Sequence, residues 1–218
     1  QERVRAGEGF TRPELAIILA YTKMGLYRRI LETDFPDEPL FQHYLNDYFP
    51  TLLKDNYADR IKKHSLRREI IATQFTNVVI DLLGMTFVHR TIRTTGATPI
   101  QVIRAALAAL EITDAKTFLK KLAEFDSKVS ADSFYEVLSV MVKALENVVS
   151  WMLLTDADLS SISSFIETYR ERLKELREGL FKILPPEQVQ RLTGLESRFE
   201  AMGFGKEFSR YVASLDYV

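Results

Sequence analysis

Apolar residues recur every three or four positions along most of this chain, a spacing that predicts α-helices. The first helix opens at Thr11, and Glu14 three positions later completes the pattern of an N-terminal capping box. Apolar side chains continue to Leu31 and lie on nearly all sides of this helix, so we expect a central helix that its neighbours cover. The two prolines of the segment 34–39 end it, because proline cannot continue a helix.

The middle of the chain divides at proline and glycine positions into several further helices. Gly84 and Gly96 are expected to end two of them, and Thr98 followed by Pro99 is expected to start the next. The predicted helices cover residues 41–48, 50–63, 65–84, 85–96, 98–110 and 114–125.

The last third has the most regular pattern. Apolar residues alternate steps of four and three over 134–152 and again over 159–183. A sustained 3.5-residue repeat predicts near-antiparallel packing at roughly 20°. The short connection 154–158 therefore predicts a long antiparallel helical hairpin, with Asp156 or Asp158 as N-cap of its second helix. Pro185 ends that helix, and two shorter helices complete the chain.

No stretch alternates apolar and polar residues in the manner of a strand, so the fold class is all-α, a multi-helix bundle. Residues 1–9 are polar and contain two glycines, which is typical of a linker. Residues 10–218 form the helical domain, with a possible sub-division near 111–131.

Composition excludes several kinds of site. The chain has 218 residues, 29 basic and 30 acidic, for a net charge of -1, so it has no global field that would attract nucleic acid or anionic lipid. It has no cysteine, which excludes disulfides and thiolate chemistry and fits the cytoplasm. No uninterrupted apolar run approaches the ~20 residues that span a bilayer, so we expect no membrane partner.

Known catalytic motifs do not occur. His43, His64 and His89 lie on separate segments without a carboxylate at ligand spacing, so a metal site would require them to converge by folding. The glycines of 7–12 and 203–208 lack the remaining positions of a dinucleotide or phosphate loop. We therefore predict no catalytic, cofactor-binding or metal-binding residue in this chain.

Two polar features need an explanation. The segment 60–68 carries five arginines and lysines and one histidine without an acid, and could bind nucleic acid, dock a protein or form a solvated surface. Gln74, Asn77 and Asp81 share one side of the predicted helix 65–84 among apolar neighbours. They could form a network inside the bundle or a polar seam that meets another domain.

Five blocks in order carry a family resemblance: TRPELAIILAYTK, DFPDEP, YFP, LRREIIATQFTNVV and MTFVHR. Together they resemble the C-terminal part of the large bacterial NAD-specific glutamate dehydrogenases. The match is dense from about residue 10 to 96, continues more loosely through TGATP and VSWMLL, and fades after Leu154.

The resemblance implies a parent enzyme that oxidatively deaminates L-glutamate to 2-oxoglutarate and ammonia with NAD. The catalytic domains of that family precede this region, so the resemblance carries no catalytic residue over. It implies a domain that binds no cofactor itself and packs on its upstream catalytic domain or on neighbouring subunits of a homo-oligomer. The candidate contact residues are Arg67, Arg68, Gln74, Asn77, Asp81, His89 and Arg90. The alternative is an independent helical adaptor that binds protein or nucleic acid through the segment 60–68.

Overall fold

The computed structural model describes Arg5, Gly7 and residues 9–217. Within this part every regular element is helical, which confirms the all-α class. The linker predicted over residues 1–9 lies largely outside the described residues. The α-helices are α1 Arg12–Leu31, α2 Gln42–Tyr48, α3 Thr51–Lys62, α4 Arg67–Leu83, α5 Phe87–Thr95, α6 Pro99–Ile112, α7 Ala115–Ala123, α8 Ala131–Leu154, α9 Ile162–Ile183, α10 Pro186–Ala201 and α11 Lys206–Ser214.

Local signals placed the helix ends well. Thr11 and Glu14 form the complete capping box of α1, with both reciprocal hydrogen bonds. Thr98 caps α6 in the same way, with Gln101 as its partner. Gly84 follows α4 with a φ of 85°, a left-handed conformation that glycine adopts without the strain of a Cβ atom. These starts and stops depend on a few neighbouring residues, which is why the sequence predicts them.

The chain forms two compact units, the first ending at Val88 and the second beginning at His89. The segment 111–131, where the sequence pattern suggested a possible sub-division, lies inside the second unit, where α7 packs on α6 and α8. The apolar residues of α7 explain this placement, since Phe118 and Leu122 are both buried.

The first unit is organised around α4. This helix packs against α1, α2 and the short 3₁₀ turn Phe35–Asp37. These elements contribute the fully buried side chains of Ile30, Phe35, Leu45 and Phe75. Tyr44 on α2 meets Phe75 on α4 edge to face, with ring centroids 5.9 Å apart. An edge-to-face pair of this kind adds to the apolar burial of both rings.

The second unit is organised around α6. All residues of this helix from Ala105 to Leu110 are buried, and four of them are alanines. Small side chains let neighbouring helices approach closely on more than one side. The helices α8 and α9 both pack against α6.

The predicted heptad hairpin is therefore not confirmed. The long helices α8 and α9 each run along α6 rather than along each other, and between them we find the ring contact of Trp151 with Tyr169 near their connection. A heptad stripe shows which face of a helix is buried but not which helix covers it. The N-cap of α9 is Ser161, not Asp156 or Asp158. Asp158 instead accepts a hydrogen bond from the backbone N–H of Ser160 in the preceding turn.

By length and composition α8 is long and apolar enough to cross a membrane, although charged residues interrupt its apolar run. One such helix is weak evidence for a membrane span. The buried stripe of α8, which includes Val137, Met141 and Leu145, packs in the core of the second unit. Packing within the unit therefore accounts for part of the apolar content of α8.

Candidate functional site

Arg67 and Arg68 are bound inside the first unit. Both form ion pairs with Asp37 in the turn that follows α1. Arg68 also donates to the carbonyl oxygens of Leu31 at 2.9 Å and Thr33 at 3.1 Å, at the end of α1. These contacts hold the segment that follows α1 against the first residues of α4. The two guanidinium groups therefore have a structural role.

The polar stripe of α4 also makes contacts within the unit. Lys23 on α1 donates through Nζ to Oδ1 of Asn77 at 2.9 Å and to Oδ1 of Asp81 at 3.1 Å. Gln74 is half-buried one turn earlier on the same helix. Asn77 and Asp81 therefore join α1 to α4. That the stripe also meets another domain stays a prediction.

His89 and Arg90 are exposed at the start of the second unit. Arg90 reaches α8, where its Nη2 donates to Oε1 of Glu146 at 2.5 Å. The prediction that these two residues contact another domain stays a prediction.

The rest of the basic segment is solvated. Arg60, Lys62 and Lys63 are exposed at the end of α3, and the guanidinium carbon of Arg60 lies 6.0 Å from the ring centroid of Tyr57. The single negative charge of Asp37 offsets only part of the two positive charges of Arg67 and Arg68. The net positive charge of the segment and its partner Asp37 is therefore smaller than the sequence of the segment alone indicates.

The three histidines have separate surroundings. Nδ1 of His43 lies 3.0 Å from the carbonyl oxygen of Leu40. Nδ1 of His64 accepts a hydrogen bond from the backbone N–H of Leu66 at 3.1 Å, and so helps the chain turn into α4. Among the described residues no group of three or more His, Asp or Glu side chains could hold a metal ion.

Two open cavities lie in the second unit. One of about 520 Å³ is lined by the ends of α5 and α8 and by Arg104. Arg104 donates to the carbonyl oxygen of Leu159 at 2.9 Å, which ties α6 to the loop before α9. Hydrogen bonds from the hydroxyl and the backbone N–H of Ser160 lower the pKa of Asp158 at the rim. The polar groups of this cavity thus mainly stabilise the loop.

The second cavity, of about 380 Å³, lies among α9, α10 and α11. Burial raises the pKa of Tyr211 at its wall, and the nearby Arg177 partly offsets this increase. The guanidinium carbon of Arg177 lies 5.0 Å from the ring centroid of Tyr211, and the phenol donates to the carbonyl oxygen of Thr113 at 3.2 Å. Tyr211 therefore links α11 to the end of α6.

The feature that sequence reasoning misjudged is α1. Its all-round apolar pattern predicted a covered helix, yet its buried residues are Leu26 and Ile30, both in the second half. The part of the helix before Leu26 exposes large apolar side chains, among them Ile17 at 57%, Tyr21 at 71% and Met24 at 48%. Among the described residues, none buries the apolar side chains of the first half as the pattern predicted.

Comparison with known proteins gives a consistent answer. A family model described as "Glutamate dehydrogenase, C-terminal" matches residues 7–218. An NAD-specific glutamate dehydrogenase of Halomonas elongata is 27% identical over 213 residues, which is 98% of this chain and 13% of that protein. A protein of the same name from Pseudomonas aeruginosa is 28% identical over 185 residues, 82% of this chain and 11% of that protein.

A third relative, from Mycobacterium tuberculosis and also named NAD-specific glutamate dehydrogenase, is 41% identical over 106 residues, 49% of this chain and 6% of that protein. The chain therefore spans about an eighth or less of the length of these relatives. The similarity also continues beyond Leu154, where the sequence blocks fade, because the family model extends to residue 218.

Proposed function

This chain belongs to the family of glutamate dehydrogenase C-terminal regions, and from that premise we propose that it is a non-catalytic helical domain of an NAD-dependent glutamate dehydrogenase. The parent enzyme oxidatively deaminates L-glutamate to 2-oxoglutarate and ammonia, and NAD binds elsewhere in the parent. The domain packs against the catalytic domain or neighbouring subunits and contributes to assembly.

One contrast carries this proposal. The polar residues that could have formed a site, such as Arg67, Arg68 and Asn77, bind other groups within their own unit. In contrast, the first half of α1 presents large apolar side chains to solvent. Satisfied polar groups beside an exposed apolar face are typical of a surface that packs on another protein rather than of a site that performs chemistry.

The printed names of the relatives support the choice of parent. All three are called NAD-specific glutamate dehydrogenase and are several times longer than this chain. The proposal places the parent in the cytoplasm as a homo-oligomer, and the absence of cysteine fits a reducing compartment.

A side-by-side assay tests the non-catalytic role. The 218-residue chain and the intact parent enzyme are compared for glutamate-dependent formation of NADH and for NAD binding by calorimetry. We expect turnover and NAD binding with the parent only. Turnover or tight NAD binding by the 218-residue chain would contradict the proposal.

A second experiment tests the assembly role. Residues 10–218 are removed from the parent, and sedimentation and thermal unfolding of the shortened enzyme are compared with those of the intact one. We expect a smaller assembly or a lower unfolding temperature. An enzyme unchanged in both measurements would contradict a role in assembly.

A further inference from the structure

The first half of α1 extends beyond the helix that supports it. Arg68 at the start of α4 binds the end of α1, and Asp81 near the end of α4 binds Lys23 in the middle of α1, so the two helices are antiparallel. Only two residues of α4 follow Asp81, whereas eleven residues of α1 precede Lys23. At ~1.5 Å per residue, the start of α1 projects roughly 13 Å past α4.

The part of α1 before Leu26 is apolar on opposite sides. Ile17 in the projecting part and Tyr21 and Met24 after it follow helical spacing and form one exposed stripe. Leu15, Ile18 and Leu19 lie away from this stripe, and each is still 37% exposed. Burying large apolar side chains stabilises a protein, and a group of them left in water loses this contribution. A helix that is hydrophobic all round is one that is buried in its working state.

The projecting part is also well formed. The capping box of Thr11 and Glu14 satisfies backbone N–H groups at its first turn, with the Glu14 carboxylate 2.7 Å from the N–H of Thr11. A capped helix that is already ordered loses little conformational entropy when it docks. The eight residues from Leu15 to Thr22 carry no charge, so the complementary surface is an apolar groove rather than a charged one.

The position of α1 in the family identifies the occupant. The family model begins at residue 7, five residues before α1, and its description places the matched region at the C-terminus of glutamate dehydrogenases. In relatives such as the Halomonas elongata protein, most of the polypeptide lies outside this region. The preceding polypeptide therefore connects to the projecting end of α1 and lies next to it.

We propose that residues 12–25 of α1 are a docking helix that inserts into an apolar groove of the polypeptide preceding this domain in the parent enzyme. A second copy of the domain fits less well, because an isologous contact along one stripe leaves the opposite side in water. The inference rests on the proposed function and names the surface through which the domain packs.

Photo-cross-linking in the intact parent enzyme tests the docking helix. Benzoylphenylalanine replaces Tyr21, which is 71% exposed in this domain, and in a matched control it replaces Tyr135 on α8, which is 66% exposed. Mass spectrometry then identifies the peptide joined to each probe. We expect the probe at position 21 to join a segment that precedes this domain, in higher yield than the probe at position 135 gives.

Two outcomes would overturn the inference. One is a cross-link from position 21 to residues 10–218 of a second copy, and the other is a yield at position 21 that does not exceed the control. Either result can occur while removal of the domain still disrupts the parent, in which case the proposed function stands and the docking helix is wrong. If removal of the domain has no effect on assembly, the proposed function itself fails.

Discussion

Lys23 on α1 lies 3.1 Å from the carboxylate of Asp81 on α4 and also donates to Asn77. The lysine lies on one helix and its two partners are one helical turn apart on the other, so the contact sets the register of α1 on α4. The Asp81 side chain is 68% exposed, which screens the ion pair. Most of the free energy of this contact therefore comes from the less exposed hydrogen bond to Asn77.

We predict that Lys23→Met lowers the free energy of unfolding by about 1 kcal/mol, because it removes one half-buried hydrogen bond and a screened ion pair. Urea titration measures the change. Lys62→Met at the exposed end of α3 is the matched control and should stay within about 0.5 kcal/mol of the parent chain. Equal effects of the two substitutions would contradict the role of Lys23.

Asp37 should stabilise the turn after α1. Asp37→Asn leaves Arg67 and Arg68 without their anionic partner, and we expect a loss of about 1 kcal/mol since all three side chains are partly solvated. Asp55→Asn on the exposed side of α3 serves as the control. The ion pairs have no stabilising role if chemical denaturation gives the same midpoint for both variants.

The adaptor hypothesis needs a test that leaves this turn intact. Charge reversal at Arg67 or Arg68 would disturb folding, so Lys62→Glu with Lys63→Glu is the better choice, because both lysines are exposed. We expect the unmodified chain to give no salt-dependent shift of a nucleic-acid probe. A shift in the unmodified chain that the double variant abolishes would support nucleic-acid binding instead.

Tyr211 should make the second unit sensitive to high pH. Its pKa is raised in the folded chain above the ordinary value of 10.0, chiefly by burial. Its contribution is therefore fully present below pH 10 and is lost as the pH rises from 10 through the higher folded pKa. We predict that Tyr211→Phe flattens the alkaline decline of the free energy of unfolding.

At neutral pH the same substitution should cost about 1 kcal/mol, because the hydrogen bond to the carbonyl oxygen of Thr113 is lost. Urea titrations at pH 7 and above pH 10 provide both measurements. Tyr135→Phe on the surface of α8 is the control. An alkaline decline that is equally steep in the Tyr211→Phe variant would mean that Tyr211 does not cause the sensitivity to high pH.

The alanines of α6 should resist enlargement. Ala105 and Ala109 are fully buried on the helix that α8 and α9 both pack against. Leucine at either position should cost about 1–3 kcal/mol through displaced neighbours. Ala123→Leu at the exposed end of α7 adds the same atoms without displacing a neighbour and serves as the control. Thermal unfolding should show a lower unfolding temperature for the two buried substitutions than for the control. Tolerance of leucine at both buried positions would mean that α6 is not tightly enclosed.

In the 218-residue chain the stability should depend little on the exposed side chains of α1 before Leu26. Ile17→Ala and Tyr21→Ala should change the free energy of unfolding by no more than about 0.5 kcal/mol, since both residues are exposed. Ile30→Ala in the buried half of the same helix should cost about 2–5 kcal/mol. Urea titrations compare the three variants. A large loss at Tyr21 would mean that the chain itself covers this residue.

The sequence predicts best those features that depend on contacts between residues close together in the chain. The capping boxes at Thr11 and Thr98 and the helix stop at Gly84 involve groups within a few residues of one another, so the pattern alone places them. The all-α class follows in the same way from the spacing of apolar residues.

The sequence predicts less well which element packs against a given apolar or charged face, because that partner is distant in the chain. The stripes of α8 and α9 are real, but α6 covers both of them because its alanines accept helices on more than one side. The same limit applies to Arg67 and Arg68, whose partner Asp37 is thirty residues away. For α1 the pattern predicted burial correctly in its second half and wrongly in its first half, where the described chain supplies no cover.

The capped, projecting α1 constrains how this domain can diverge. Because the helix is continuous from Arg12 to Leu31, one inserted residue between Ile17 and Leu26 would turn the start of the helix by ~100° and move it by ~1.5 Å. The stripe at Ile17 would then face in another direction, although every side chain is retained. We therefore expect the length of this segment to tolerate change less than the loop 155–161, where an added residue can be absorbed.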